Sequence, residues 1–289
     1  MYTTLIEPAE LAAHTNDPNW VILDCRFDLA RPEWGAGAYA EGHVPNAMYA
    51  HLERDLSSPV TATSGRHPLP ASEAFFATLG RWGIDEKVQV VSYDQSNGAY
   101  ASRLWWLVRW AGHARVAVLN GGFAAWQHAG LPVSKQSSVR QSRPFSPNHA
   151  RTDIVSTADV ARILAAGQLA SAERSLIDAR SADRFAGQNE TLDPVAGHIP
   201  GARNHPFARN LDAQGRFLPA HTLRSQWLET LRGLAPSDAI AMCGSGVTAC
   251  QNLLALEVAG LPGARLYAGS WSEWIRDAAR PVESANSSS

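Results

Sequence analysis

Cysteine is scarce in this chain: three thiols, Cys25, Cys243 and Cys250, in 289 residues. An odd, sparse set excludes a disulfide scaffold and fits a reducing compartment, so a cytoplasmic protein is expected. The three lack the spacing of a zinc site. Excess charge is missing too, with 25 Lys and Arg against 27 Asp and Glu, a net charge of −2. That balance excludes non-specific attraction to nucleic acid or to an anionic membrane. No apolar run approaches membrane-spanning length. The opening residues, Met1-Tyr2-Thr3-Thr4-Leu5-Ile6-Glu7-Pro8, hold no basic segment followed by an apolar one, so no signal peptide is expected.

What is there is a chain of 45% hydrophobic and 18% charged residues, enough for a substantial core and about two domains. The chain is in fact written twice. The strand Trp20-Val21-Ile22-Leu23-Asp24-Cys25-Arg26 matches Ser175-Leu176-Ile177-Asp178-Ala179-Arg180. Gly42-His43-Val44-Pro45 matches Gly197-His198-Ile199-Pro200, and the strand Val88–Asp94 matches Ala239–Cys243. A helix then ends in Ala111-Gly112 or Ala259-Gly260, and Gly121-Gly122-Phe123 matches Gly269-Ser270-Trp271. Each copy alternates short, continuously apolar strands with helices, such as Ser102–Trp110 and Thr248–Ala259. That pattern implies an α/β fold: two tandem domains, each a mainly parallel sheet flanked by helices. The polar, Pro-containing stretch between the copies reads as a linker. The expected bounds are 1–133 for the first domain, 134–152 for the linker, 153–283 for the second domain and 284–289 for a tail.

Loops at the carboxyl ends of parallel strands carry the chemistry of such folds. Asp24, Asp94 and Cys243 are expected at such ends. The most distinctive is Met242-Cys243-Gly244-Ser245-Gly246-Val247-Thr248, where an apolar strand ends in a cysteine and a small-residue loop leads into a helix. In that arrangement backbone N–H groups of the loop and of the helix N-terminus converge on the sulfur and stabilise a thiolate or an anion attached to it. Gly244 and Gly246 suit a backbone that must approach a ligand closely. Cys25 matches Ala179 in the other copy and reads as core. Cys250 reads as helix packing. Most of the ten tryptophans read as core or interdomain packing.

These residues resemble the tandem-domain rhodanese family of sulfurtransferases. The shared features are both Asp-x-Arg strands, both Gly-His-(Val/Ile)-Pro blocks, Gly65-Arg66-His67-Pro68, Ser102-Arg103-Leu104-Trp105-Trp106 and Gly269-Ser270-Trp271-Ser272-Glu273-Trp274. The resemblance covers nearly the whole chain. It implies a catalytically silent first domain, because the loop Asp94–Ala99 has no cysteine, and a nucleophile at Cys243. Within the family, Cys243-Gly244-Ser245-Gly246-Val247-Thr248-Ala249 is similar to the 3-mercaptopyruvate branch. Thiosulfate-preferring members carry cations directly after the cysteine, and Gly244 and Ser245 supply none.

The resemblance implies a two-step reaction that needs no metal or organic cofactor. Cys243 takes sulfur from the donor as a persulfide, pyruvate leaves, and a thiol such as a thioredoxin or a small thiol, or cyanide, removes the outer sulfur. The backbone from Gly244 through Gly246, Val247 and Thr248 would donate to the transferred group. Arg184 matches the family's substrate-binding arginine, and a guanidinium suits a 2-oxo carboxylate because it binds two oxygens at once. In the mercaptopyruvate branch the loop serine works with a first-domain histidine and an acid, which here would be Ser245, His67 and Glu53 or Asp55. His43, His198, Asp24 and Asp178 recur in the silent copy and read as structural. One departure stands out: Glu190-Thr191-Leu192-Asp193-Pro194-Val195 has no arginine where this branch carries a second one, and Arg66 is a substitute for it.

Three other readings stand beside this one. A cysteine phosphatase needs an arginine six residues past the cysteine, where this chain has Ala249. A thiosulfate:cyanide sulfurtransferase is compatible with the missing second arginine. A persulfide carrier without turnover needs the same loop.

Overall fold

The computed structural model describes residues 1–147 and 154–284; residues 148–153, the end of the expected linker and the first residue of the expected second domain, and the tail from 285 lie outside them. The chain divides into two compact units. The first comprises Met1–Ser58, Leu69–Thr152 and Leu211–Phe217, and the second Pro59–Pro68, Asp153–Asn210 and Leu218–Ser289. The short segment Pro59–Pro68 therefore belongs to the unit that carries Cys243, although it lies within the first sequence copy. Residues 134–147, read from the sequence as linker, lie along the first unit: Ser134 pairs with His43, and Arg143 bonds the Gly80 carbonyl and the Asp85 carboxylate.

In the first unit, β1 (Leu5–Ile6), β2 (Trp20–Asp24), β3 (Met48–Tyr49), β4 (Gln89–Tyr93) and β5 (Val116–Leu119) form one sheet in the order β1-β5-β4-β2-β3. Helices α1 (Pro8–Ala12), α2 (Trp34–Glu41), α3 (Ser72–Arg81), α4 (Ala101–Trp110) and α5 (Gly122–His128) connect and flank these strands. In the second unit, β6 (Ile154–Val155), β7 (Ser175–Asp178), β8 (Arg203–Asn204), β9 (Ala239–Met242) and β10 (Arg265–Tyr267) repeat that order as β6-β10-β9-β7-β8. Its helices are α6 (Thr157–Ala165), α7 (Ala182–Phe185), α8 (Ala220–Leu231), α9 (Thr248–Val258) and α10 (Ser270–Trp274). Every strand pair is parallel, with Trp20 opposite Gln89 in one sheet and Ser175 opposite Ala239 in the other.

The β4 and β9 runs are buried along their whole length, as strands covered on both faces must be. The helices that follow them are buried nearly all round, α4 at every residue but Arg109 and α9 from Ala249 to Leu256. The cores are separate clusters, with Val91, Tyr93 and Trp126 in the first unit and Met242, Tyr267, Trp271 and Trp274 in the second. Trp271 and Trp274 are thus core residues. Cys25 is buried beside β2, and burial pushes its thiol well above the ordinary range.

Strands β2 and β7 stop at Asp24 and Asp178, two residues short of the arginines that the sequence places in them. The cause is the Asp-x-Arg motif itself. The Asp24 carboxylate accepts the backbone N–H of Arg26 and its guanidinium, which also donates to the Gly42 carbonyl. Asp178, Arg180 and Gly197 repeat this. The buried pair turns the chain out of the sheet and ties the strand end to the Gly-His turn. His43 and His198 complete the turn: their Nδ1 atoms bond the Tyr39 and Phe185 carbonyls, and their rings stack on those aromatics.

A second buried polar cluster lies behind α9. His205 meets Thr230 through Nδ1 and Asn210 through Nε2, while Asn210 also binds Trp227, Gln251 and Asn252. Burial lowers the His205 pKa to about 4.

Strands β7 and β9 are neighbours whose onward connections leave in opposite directions, β7 toward β8 and β9 toward β10. Such a switch point leaves a crevice at the carboxyl ends of the two strands. Cys243 and the Asp178–Arg180 turn stand there.

Candidate active site

Cys243 follows β9 directly, and its side chain is almost fully buried. The loop bends back so that the Gly246 N–H points at the Cys243 sulfur, 3.1 Å away. Gly246 has φ +76°, and a Cβ there would stand 2.4 Å from the Ala268 carbonyl oxygen, so only glycine fits. Val247 caps α9 and Thr248 is its first residue. The Cys250 thiol bonds the Gly246 carbonyl from below, and so packs the loop.

The turn from β10 into α10 holds this loop from behind. The Trp271 and Ser272 N–H groups donate to the carbonyls of Cys243 and Gly244, satisfying the otherwise open first amides of α10. The Cys243 N–H donates to the Ser270 hydroxyl at 3.0 Å, and that hydroxyl donates to the Tyr267 carbonyl. Ser270 does this from a left-handed backbone, φ +54°.

Segment Pro59–Pro68 docks on the same helix. The Arg66 N–H donates to the Ser272 hydroxyl, Arg276 donates to the Ser64 carbonyl, and Gly65 lies so close to the Gly269 carbonyl that a Cβ would be 2.7 Å from it. This docking brings His67 to Ser245, with Nδ1 to Oγ 2.8 Å and both side chains buried. It also brings Arg66 to the loop: a Cβ on Gly244 would lie 2.8 Å from Arg66 Nη2 and 3.8 Å from Arg184 Nη2.

Arg184, on α7, is held by two acids. Its Nε and Nη2 grip Glu190, and Nη2 also reaches Asp193 at 3.2 Å. Arg66 Nη1 pairs with the other oxygen of Asp193. Burial works against ionising Glu190, but the Arg184 hydrogen bond and the N–H groups of Leu192 and Asp193 outweigh it and lower its pKa. For Asp193 burial is the larger effect and raises the pKa, against Arg66 and Arg184.

Of the residues named from the sequence, the second unit thus gathers Cys243, Gly244, Ser245, Gly246, Val247, Thr248, His67, Arg66 and Arg184. Glu53 lies in the first unit, exposed, in the turn after His51, whose Nδ1 accepts its N–H. Sequence reasoning missed Ser270, Ser272 and Asp193. Only the first left a sequence signal, as the serine that stands where the other copy has Gly122.

The matched loop of the first unit has the same frame and a different occupant. Phe123 and Ala124 donate to the Asp94 and Gln95 carbonyls, as Trp271 and Ser272 do in the second unit. The Asp94 carboxyl group accepts the N–H groups of Ser96, Gly98, Tyr100 and Ala101. An aspartate fills the cradle that holds a thiol in the other copy.

Chemically, the second unit offers a thiol with an N–H donor on its sulfur, a hydroxyl–imidazole pair two residues on, and two guanidinium groups against the intervening glycine. Among the described residues, no group of three or more His, Cys, Asp or Glu side chains could hold a metal ion, and no helix is long and apolar enough to cross a membrane.

The family profile described as Rhodanese-like domain matches residues 7–129 and again 156–277. The chain is 46% identical over 280 residues to a Pseudomonas aeruginosa protein named "Probable 3-mercaptopyruvate sulfurtransferase", covering 96% of this chain and 97% of that one. It is 35% identical over 268 residues to the thiosulfate sulfurtransferase of Cricetulus griseus, covering 90% and 86%. A solved structure of the 3-mercaptopyruvate sulfurtransferase from Leishmania major superposes with a TM-score of 0.79 at 32% identity, covering 94% of this chain and 74% of that one.

Proposed function

The chain belongs to the rhodanese-like sulfurtransferases, and on that premise we propose that it moves sulfane sulfur from 3-mercaptopyruvate to a thiol or cyanide acceptor through a persulfide on Cys243. One juxtaposition carries this reading: the Ser245–His67 pair and the Arg66 and Arg184 guanidiniums all meet the loop within two residues of Cys243.

In the first step the Cys243 thiolate attacks the donor sulfur. The S–S bond forms, the donor C–S bond breaks, and its electron pair leaves on carbon as the enolate of pyruvate. A proton delivered through Ser245 and His67 converts the enolate to pyruvate. Arg184 and Arg66 bind the carboxylate and 2-oxo oxygens, so Arg66 supplies the second cation that the segment before Gly197 lacks. The Gly246 N–H and its neighbours at Val247 and Thr248 stabilise the anionic persulfide. In the second step an acceptor thiolate, from a small thiol or a thioredoxin, or cyanide, attacks the outer sulfur; the S–S bond breaks and Cys243 is regenerated. The first copy's own loop, Asp94–Ala99, does no chemistry in this scheme. The sparse, unpaired cysteines support a cytoplasmic setting.

The test is pyruvate release together with the mass of the Cys243 peptide after exposure to 3-mercaptopyruvate. A gain of one sulfur on Cys243 with stoichiometric pyruvate is expected, and Cys243→Ser should abolish both. Persulfide from thiosulfate but not from mercaptopyruvate would move the protein to the second reading, thiosulfate sulfurtransfer, which the thiosulfate-named relative favours. Persulfide without turnover in the presence of acceptor would make it a carrier.

A further inference from the structure

The charged groups beside Gly244 form a single alternating chain. Arg66 pairs with Asp193, Asp193 with Arg184, Arg184 with Glu190, Glu190 with Arg180, and Arg180 with Asp178. Three cations meet three carboxylates. The Arg180–Asp178 link is structural, since Arg26–Asp24 repeats it in the other copy. Glu190 grips the Nε edge of Arg184. Asp193 is the acid left over for the binding face: it bridges the two guanidiniums that touch Gly244, and its side chain is 2% exposed against 26% for Arg66 and 18% for Arg184.

A clamp of two arginines alone would favour the donor with the most negative charge. Mercaptopyruvate carries one negative charge at its carboxylate, whereas thiosulfate is a dianion. The work of bringing an anion up to a fixed carboxylate scales with the anion's charge, so Asp193 opposes a dianion twice as strongly as a monoanion. We propose that Asp193 is a specificity-determining residue: with Glu190 it balances the two charges of the Arg66–Arg184 clamp and so tunes the site to singly charged 2-oxo acids over dianionic sulfur donors. This rests on the reading of the site as a sulfurtransferase. It assigns donor choice to a buried carboxylate, beside the neutral Gly244–Ser245 pair that already omits cations after the cysteine.

The experiment compares wild-type protein, Asp193→Asn and Asp193→Glu, with Cys243 persulfide formation read by mass against both donors. Asn keeps the shape and removes the charge; Glu keeps the charge. Asp193→Asn should raise kcat/KM for thiosulfate by roughly tenfold at low ionic strength and change that for mercaptopyruvate far less, and added salt should shrink the gain. Asp193→Glu should keep the wild-type donor ratio. No gain with thiosulfate in Asp193→Asn, an equal loss with both donors, or the same shift in Asp193→Glu would overturn the proposal and leave Asp193 a structural tether. The wild-type protein gives a check independent of any variant. Across about 50 to 500 mM salt a neutral clamp predicts a nearly flat kcat/KM for its best donor, and a fall of more than about fivefold would also overturn it. Wild-type inactivity toward mercaptopyruvate would refute the proposed donor instead, while the thiosulfate response of Asp193→Asn still decides the role of Asp193.

Discussion

The Ser270 hydroxyl accepts the backbone N–H of Cys243 at 3.0 Å while Ser270 itself holds φ +54°, a conformation that its counterpart Gly122 adopts at +60°. A serine in left-handed backbone costs about 1–2 kcal/mol relative to glycine. It is retained in the copy that has a cysteine to hold. Ser270→Gly relieves that strain but orphans a buried N–H, at about 1–3 kcal/mol, so its stability should stay close to wild type. Ser270→Ala loses the hydroxyl and keeps the strain, and should be less stable than Ser270→Gly by about 1 kcal/mol. Both should lower the rate of persulfide formation by about tenfold or more, because the nucleophile's peptide is no longer fixed. Thermal melts and single-turnover rates check the order; wild-type rates in Ser270→Gly would remove the positioning role.

Gly244 and Gly246 should respond differently to the same added methyl group. Gly244 is outside the left-handed region, and its Cβ would meet the end of the Arg66 side chain, which can move. Gly244→Ala should therefore fold normally and raise the donor KM about tenfold, the value of one charge-assisted hydrogen bond. Gly246→Ala forces a Cβ onto the Ala268 carbonyl at φ +76° and should lose more than about 2 kcal/mol in chemical denaturation. Equal effects of the two on stability would contradict the geometry.

Ser245 and His67 face each other at 2.8 Å and should act as a unit. Ser245→Ala and His67→Asn should each lower kcat with mercaptopyruvate by about a hundredfold and leave KM within a few-fold. The double variant should be little slower than either single one, as for groups in one relay. Additive losses would mean that the two side chains work separately.

His205 should make the protein acid-sensitive. Its folded pKa of about 4 lies below the ordinary value of 6.5, so the unfolded chain binds the extra proton across that interval. The neutral ring's contribution is complete above pH 6.5 and is lost as the pH falls toward 4, by about 3 kcal/mol in all. Urea unfolding at several pH values should show this slope in the wild type and a shallower one in His205→Gln.

The parallel sheets and the duplication were legible because a buried parallel strand is a continuous apolar run and five matched blocks of strand, turn and helix end recur in the same order. The strand ends were not, because Asp24 and Asp178 turn the chain through side-chain bonds to the backbone that periodicity does not register. Cys243, Gly246 and Arg184 could be read from local motifs. The bond from Arg66 to Asp193 spans 127 positions, and only tertiary docking of Pro59–Pro68 creates it. Ser270 was visible in principle, as the one residue of the Gly-Gly-Phe turn that changes from glycine to serine between copies.

Asp94 gives the duplicated loop a different kind of occupant. In the second unit the cradle's Gly246 N–H meets the Cys243 thiol, a side chain that can react. In the first, the occupant is covalently part of the chain and arrives once, when the chain folds. The same loop geometry there is a tether that pins β4 to α4, and its N–H groups serve fold stability.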